Sequence, residues 1–271
     1  MKPTQSNPFR SFHRPLVMGH RGDQTVSPEN TLLALKNAAL LELDVIETDI
    51  RMTKDNELIL FHDETLDRTT NKTGPVKSYT LDELNQVDLG YSFTLDDGKS
   101  FPARGQNWKV VTLRQAFDLF PEMRFNLDIK DVDPIAPDLL AKVIKEYSRE
   151  NSILVGSFHH FQIKKFRKIL PHVHTSASPQ EVRRFLTFQT LFLERIITPS
   201  YSAFQVPISH QNRTIVTKRF VTAAHAKNIA VHVWVVNDRL SFEYLIRLGV
   251  DGIFTDDPWL LLEVLQEKKL I

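Results

Sequence analysis

Four short segments of this 271-residue chain bring acids, histidines and cations close enough together to do chemistry. Glu47 and Asp49 stand two apart in a β-branched run, so in a strand both carboxylates project onto one face. Two like charges on a buried face are costly unless they are paired or metal-bound, and hard oxygen ligands suit Ca²⁺, Mg²⁺ or Mn²⁺. The competing reading is an outward face whose acids pair with lysines. Asp128 and Lys130 repeat the spacing in Phe125-Asn126-Leu127-Asp128-Ile129-Lys130. A third carboxylate beside an ammonium suits a cation carrying a phosphate, and equally a strand-end salt bridge. His20 and His62 are the two of ten histidines that directly end a strand-like run beside charge. Two imidazoles flanking a scissile bond could supply a base and an acid, although a single histidine is more often a structural hydrogen-bonding residue. Arg21 offers a fork for phosphate oxygens, and Gly22 lets backbone approach closely. Ser27-Pro28 reads as a helix start with Pro28 in the first position, and Glu29 joins the candidates from its place just after the first strand. Asp63 with Arg68-Thr69-Thr70 reads as a turn network.

These residues cluster where strand-like runs end. Such runs cover 16–19, 44–50, 58–61, 125–129, 153–158, 173–177, 204–208, 231–236 and 252–255, alternating with helical patterns as βα units do. In an eight-stranded β/α barrel, charged strand ends form the catalytic face. Nine runs are one too many. The six residues between 51 and 58 are too few for a parallel crossover, so the second and third runs form a hairpin, placing Asp49 opposite His62. Thr80 with Glu83, Thr112, and Ser178-Pro179 mark helix starts. The expected fold is α/β, a TIM-type (β/α)8 barrel spanning residues 1–271 as one domain, with 64–111 as a small inserted subdomain after the third strand. One helix, 183–197, is unusually apolar; core packing explains such a stripe, and a lipid-contacting lip is the other reading.

Composition narrows the chemistry further. Lysine and arginine number 34 against 33 acids, which leaves no general field for nucleic acid or an anionic membrane, so phosphate recognition must be local; a small-molecule partner is expected. Without cysteine, metal ligands must be Asp, Glu or His. Residues 1–15 lack the apolar run of a signal peptide and no stretch reaches the length of a membrane span, so the cytoplasm is the expected location.

The set as a whole resembles the glycerophosphodiester phosphodiesterases. The matching pieces, in order, are His20-Arg21-Gly22, Pro28-Glu29-Asn30-Thr31, Glu47-x-Asp49, Lys54-Asp55, His62-Asp63, Arg68-Thr69-Thr70, Asp128-x-Lys130, Ser157-Phe158, Trp234-Val235-Val236-Asn237, Gly249-Val250-Asp251-Gly252 and Thr255-Asp256. Each is weak alone; together and in order they are highly specific. The resemblance implies a phosphodiesterase barrel with Glu47, Asp49 and Asp128 as metal ligands, His20 and His62 as the acid/base pair, Arg21 and Lys130 on phosphate, and Trp234 walling the pocket. The family usually has glutamate at the position of Asp128, and one methylene less favours a water between carboxylate and cation.

The reaction so implied cleaves a glycerophosphodiester to glycerol 3-phosphate and an alcohol. The apolar stretch together with Phe204-Gln205-Val206-Pro207 is similar to superfamily members acting on lysophospholipids, making lysophospholipase D the alternative within one chemistry. Two remoter rivals are a metal-dependent sugar isomerase or aldolase, against which Arg21 and Lys130 favour an anion, and a non-catalytic binding barrel, against which both histidines stand.

Overall fold

The computed structural model describes residues 7–271. Its strands are β1 Leu16–His20, β2 Val45–Met52, β3 Leu58–Leu60, β4 Phe125–Ile129, β5 Ile153–Gly156, β6 His174–Thr175, β7 Ala203–Val206, β8 Ser209–His210, β9 Arg213–Thr214, β10 Ala230–Val233 and β11 Gly252–Thr255. Its helices are α1 Leu32–Leu40, α2 Leu81–Leu84, α3 Leu113–Leu119, α4 Ala136–Glu146, α5 His160–Ile169, α6 Pro179–Thr190, α7 Lys218–His225, α8 Arg239–Leu248 and α9 Pro258–Glu267. Eight strands run parallel in the order β6-β5-β4-β2-β1-β11-β10-β7. A bridge between Ser176 and Ala203 all but closes the ring, supported by Ala177 N donating to Ala203 O at 2.8 Å. The expected TIM-type barrel is thus the fold.

Alternation along the strands sorts the side chains into two cores. Outward residues such as Val17, Ile46, Ile50, Leu127, Val155 and Phe204 pack against the helices. Inward residues at the N-terminal strand ends, Leu16, Met18, Val45, Leu154, Ala203 and Ala230, surround the buried ring of Phe9, which plugs the barrel floor. His232 also points inward there. It is fully buried and its Nε2 bonds Phe9 O at 2.7 Å. Burial holds this imidazole below its ordinary value, so as pH falls through about 6.5 the unfolded chain takes up a proton that the folded one refuses. Stability should therefore decline toward low pH, by up to about 1.4 kcal/mol per pH unit from this group. Urea titrations of wild type and His232→Gln over that range test it; the variant should lose that part of the slope, and parallel curves would clear His232.

The surplus run is the hairpin partner: β3 pairs antiparallel with β2 outside the ring. Its register is one residue out of step with the expectation. Ile50 faces Leu60 and Arg51 faces Ile59, and Phe61 N donates to Asp49 O at 3.0 Å, so Asp49 lies beside Phe61 and not His62. The reason is the odd-numbered connection 53–57, closed by Thr53 N to Glu57 O at 3.0 Å. Thr80, Thr112 and Ser178 all cap helices with full capping boxes. Ser27-Pro28 does not start one. The cap of α1 is Thr31, because Asn30 sits at φ 56 and breaks any helical continuation from Pro28. The helix expected over 183–197 also stops early. It ends at Thr190 in a Schellman turn, Leu193 N to Phe188 O at 2.8 Å and Phe192 N to Gln189 O at 3.1 Å, with Phe192 at φ 59 where glycine usually stands.

Residues 64–111 carry α2, a 3₁₀ turn at Val76–Ser78 and a separate apolar cluster in which Leu66, Val76, Leu84, Val87, Leu89 and Val110 pack on Ile59 and Phe61. No described helix is long and apolar enough to cross a membrane.

Candidate active site

The inward alternation that makes the floor apolar makes the opposite, C-terminal end polar. Register pairs His20 with Glu47, Glu47 with Asn126, and Asp49 with Asp128, so these side chains point into one space. Glu47 and Asp49 are buried, at 6% and 1% exposure, which removes the solvent-facing alternative. They line a cavity of about 570 Å³ together with His20, Arg21, His62, Asp128, Lys130 and Trp234.

Each histidine is held from behind by an aspartate. His20 Nδ1 bonds Asp256 Oδ1 at 2.6 Å, and Gln24 and Asn237 fix that carboxylate at 2.8 and 2.7 Å. His62 Nδ1 bonds Asp63 Oδ1 at 2.6 Å, with Arg68 Nε on the other oxygen at 2.5 Å. In both, Nε2 is the nitrogen not taken up by the aspartate, and His20 Nε2 lies 4.0 Å from Glu47 Oε2. Burial lowers the His20 imidazole's proton affinity, but the bond to Asp256 and the field of Glu47 outweigh it and leave the group above its ordinary value. For His62, burial dominates and, with Arg21 and Lys130 nearby, holds it below, against the pull of Asp49 and Asp63.

Arg21 occupies the left-handed region at φ 57, and Gly22 follows at φ 92, where an added Cβ would lie 2.7 Å from the Ala34 carbonyl carbon. This turn aims Arg21 N at Glu47 Oε2 (3.1 Å), Nη1 at Glu29 Oε1 (2.8 Å) and Nε at Asp49 Oδ2 (3.2 Å). Glu29 in turn accepts two bonds from Arg68 at 2.7 and 2.8 Å. Its place is therefore behind Arg21, as an anchor, and Arg68 joins both sides of the site. Asn30 Nδ2 reaches Asp49 Oδ2 at 3.3 Å while its Oδ1 accepts from Thr48 at 2.6 Å.

Lys130 Nζ bridges Asp49 Oδ1 at 3.0 Å and Asp128 Oδ2 at 2.7 Å, so the strand-end salt bridge of the sequence reading is present. Together with Arg21 it holds Asp49 below the usual carboxylate range against the opposing effect of burial. Glu47 behaves oppositely: burial and the neighbouring Asp49 push it up to about 7. Among the described residues, no three His, Asp or Glu side chains are already gathered into a cation cage. The donors nonetheless suit a hard divalent ion, because Asp128 Oδ1 is buried without a hydrogen-bond partner and Glu47 is an acid short of positive charge.

Beyond the polar end the cavity turns apolar. Phe158, Val182, Leu186, Pro207, Ile215, Trp234 and Val235 line it, and the Phe158 and Trp234 rings meet edge to face with centroids 5.8 Å apart. From the apolar segment 183–197, Arg183 and Leu186 reach this lining, whereas 191–196 do not. Gln24 was not singled out in the sequence, and Asp256, Asn126 and Gln205 (Gln205 Nε2 to Asn126 Oδ1, 2.6 Å) stood in the quoted stretches without a role. Asp256 could have been given one from its strand end, and Asn126 and Gln205 from inward alternation, Gln205 standing two after the inward Ala203; Gln24 carries no signal of its own.

The C-terminal end of the parallel barrel thus gathers two carboxylate-held histidines, three further acids and two cations over one cavity, a set that suits the chemistry of phosphate esters. Residues 20–260 match the glycerophosphoryl diester phosphodiesterase family. The chain is 32% identical to a glycerophosphodiester phosphodiesterase of Caldanaerobacter subterraneus, covering 93% of this chain and 98% of that one. It is 33% identical to one from Bacillus altitudinis (93% and 99%), and 22% identical to a human lysophospholipase D (89% and 83%). In fold it is similar to the glycerophosphoryl diester phosphodiesterase domain of a Mycobacterium tuberculosis protein, with TM-score 0.82 at 20% identity over 94% and 99% of the two chains. The chain belongs to the glycerophosphoryl diester phosphodiesterase family and is an enzyme, a phosphoric diester hydrolase. That membership sets aside the sugar isomerase and aldolase reading.

Proposed function

We propose that this enzyme cleaves glycerophosphodiesters such as glycerophosphocholine to glycerol 3-phosphate and the free alcohol, with His20 and His62 as the acid/base pair. The observation that carries the reading is the paired arrangement of the two imidazoles, each fixed at Nδ1 by an aspartate, over a cavity whose floor holds Arg21 and Lys130. One ring takes the proton of the attacking oxygen and the other delivers a proton to the leaving alcohol. Arg21 and Lys130 would turn toward the phosphate oxygens, and Trp234 would wall the pocket. Glu47, Asp49 and Asp128 would hold a divalent ion, Ca²⁺, Mg²⁺ or Mn²⁺, which when bound supplies positive charge opposite the phosphate. Glu29, with Arg68, keeps Arg21 aimed. Metal-depleted protein, with each ion restored in turn, should release choline from glycerophosphocholine only when an ion is present; metal-free turnover at the full rate would remove the ion from the scheme, and no release under any condition would remove the substrate.

The apolar arm of the cavity favours a second reading, a lysophospholipase D activity. An acyl chain attached to the glycerol would lie against Val182, Leu186 and Ile215. Placing a charge there, as in Leu186→Asp, should raise KM for lysophosphatidylcholine about tenfold or more and leave that for glycerophosphocholine within about twofold, since burying a leucine-sized surface stabilises by roughly 1.5–3 kcal/mol. Equal effects on both substrates would place no acyl chain in the arm.

A further inference from the structure

The surface just past the C-terminal end of α6 exposes four large apolar side chains within six residues, Leu191, Phe192, Leu193 and Ile196, at 60, 75, 46 and 67%. The Schellman turn that ends the helix holds them outward, with Phe192 in the left-handed region. Contiguous exposed apolar area of this kind marks an interaction surface. Its surroundings are basic. Arg184 and Arg195 are exposed, the Arg219 guanidinium lies 4.0 Å from the centroid of the Phe192 ring, and Lys227 bonds the Arg195 carbonyl. The one acid inside the segment, Glu194, lies 4.0 Å from Arg219.

We propose that this apolar knob with its cationic collar docks the enzyme onto an anionic lipid surface. Apolar side chains flanked by arginines suit the boundary between acyl chains and negatively charged headgroups, where both groups are satisfied at once. A second copy of the chain is a poorer occupant, because a two-fold contact would press collar against collar, like charge facing like charge. From α6 the cavity is lined by Pro179, Val182, Arg183 and Leu186, the last of these about 6 Å along the helix from its end at Thr190, and none of residues 191–196 lines it. The docking side chains are therefore distinct from those that line the cavity. The inference concerns where the enzyme works and does not depend on which diester it cleaves.

The test is co-sedimentation of the full chain with vesicles of phosphatidylcholine and with vesicles of phosphatidylcholine mixed with phosphatidylglycerol. The protein should sediment with the anionic vesicles and be released by salt. Phe192→Gly combined with Ile196→Ser should weaken that partition about tenfold or more, glycine being well suited to the left-handed position. Arg184→Gln with Arg195→Gln should weaken it roughly thirtyfold. Both double variants should hydrolyse glycerophosphocholine in solution at the wild-type rate, which separates lost docking from lost fold; the two arginines are exposed and decide the matter if the apolar pair misfolds. Binding to neither vesicle, or equal binding to both, would overturn the proposal. So would a concentration-dependent dimer dispersed by Phe192→Gly, which would make the patch a contact between copies.

Discussion

Alanine in place of His62 should give a folded protein that turns over glycerophosphocholine about 10²- to 10⁴-fold more slowly, with KM within about threefold of wild type. The size follows from the role: removing a positioned proton-transfer group takes away a transition-state interaction that water replaces poorly. The fold should survive because the His62 side chain is one-third exposed and its one side-chain hydrogen bond is to its neighbour Asp63, which keeps Arg68. Steady-state kinetics beside circular dichroism and a urea titration check both halves. A rate within about threefold of wild type, with the fold intact, would take His62 out of the acid/base pair. Asp63→Asn is the companion variant. It keeps the imidazole but weakens its hold, so its loss should be smaller than that of His62→Ala.

Glu47→Gln should move two observables in opposite directions. The affinity for the divalent ion should fall at least about 100-fold, since even residues behind a metal's direct ligands cost roughly 10- to 100-fold when removed. Stability of the metal-free protein should hold or rise, because the substitution removes one of two buried like charges and keeps the shape. The pH dependence carries the same sign. In the absence of the ion the Glu47 carboxyl is raised from 4.5 to about 7, so the folded protein keeps a proton that the unfolded chain gives up, and stability falls as pH rises between those values. The Gln variant should lack that decline. Calorimetric titration and denaturation across that range separate the outcomes: higher stability with unchanged ion affinity would make Glu47 a strained neighbour of Asp49 and not a ligand.

How much of this was open to sequence reasoning depended on how local the signal is. Two-residue spacing in β-branched runs placed Glu47 with Asp49, and Asp128 with Lys130, because strand alternation is a property of the backbone itself. Capping boxes at Thr80, Thr112 and Ser178 were legible for the same reason, each satisfying its orphan N–H groups within four residues. The Thr31 cap was not, because Asn30 adopts a left-handed conformation within reach of Asp49, a residue nineteen positions away. Nor was the end of α6 at Thr190, since a phenylalanine fills the position where glycine would have announced it.

The sequence by itself determined the barrel and which charged strand ends face the cavity, those of His20 and His62 among them, because these follow from local periodicity and the order of motifs along the chain. Tertiary structure alone decided which charges meet. Asp256 reaches His20 from 236 positions away, Arg68 ties Glu29 to Asp63, Lys130 spans Asp49 and Asp128, and the β2–β3 register sets Asp49 beside Phe61. Those pairings depend on the stagger of neighbouring strands and the path of loops across the barrel mouth, and a pattern along one strand contains neither.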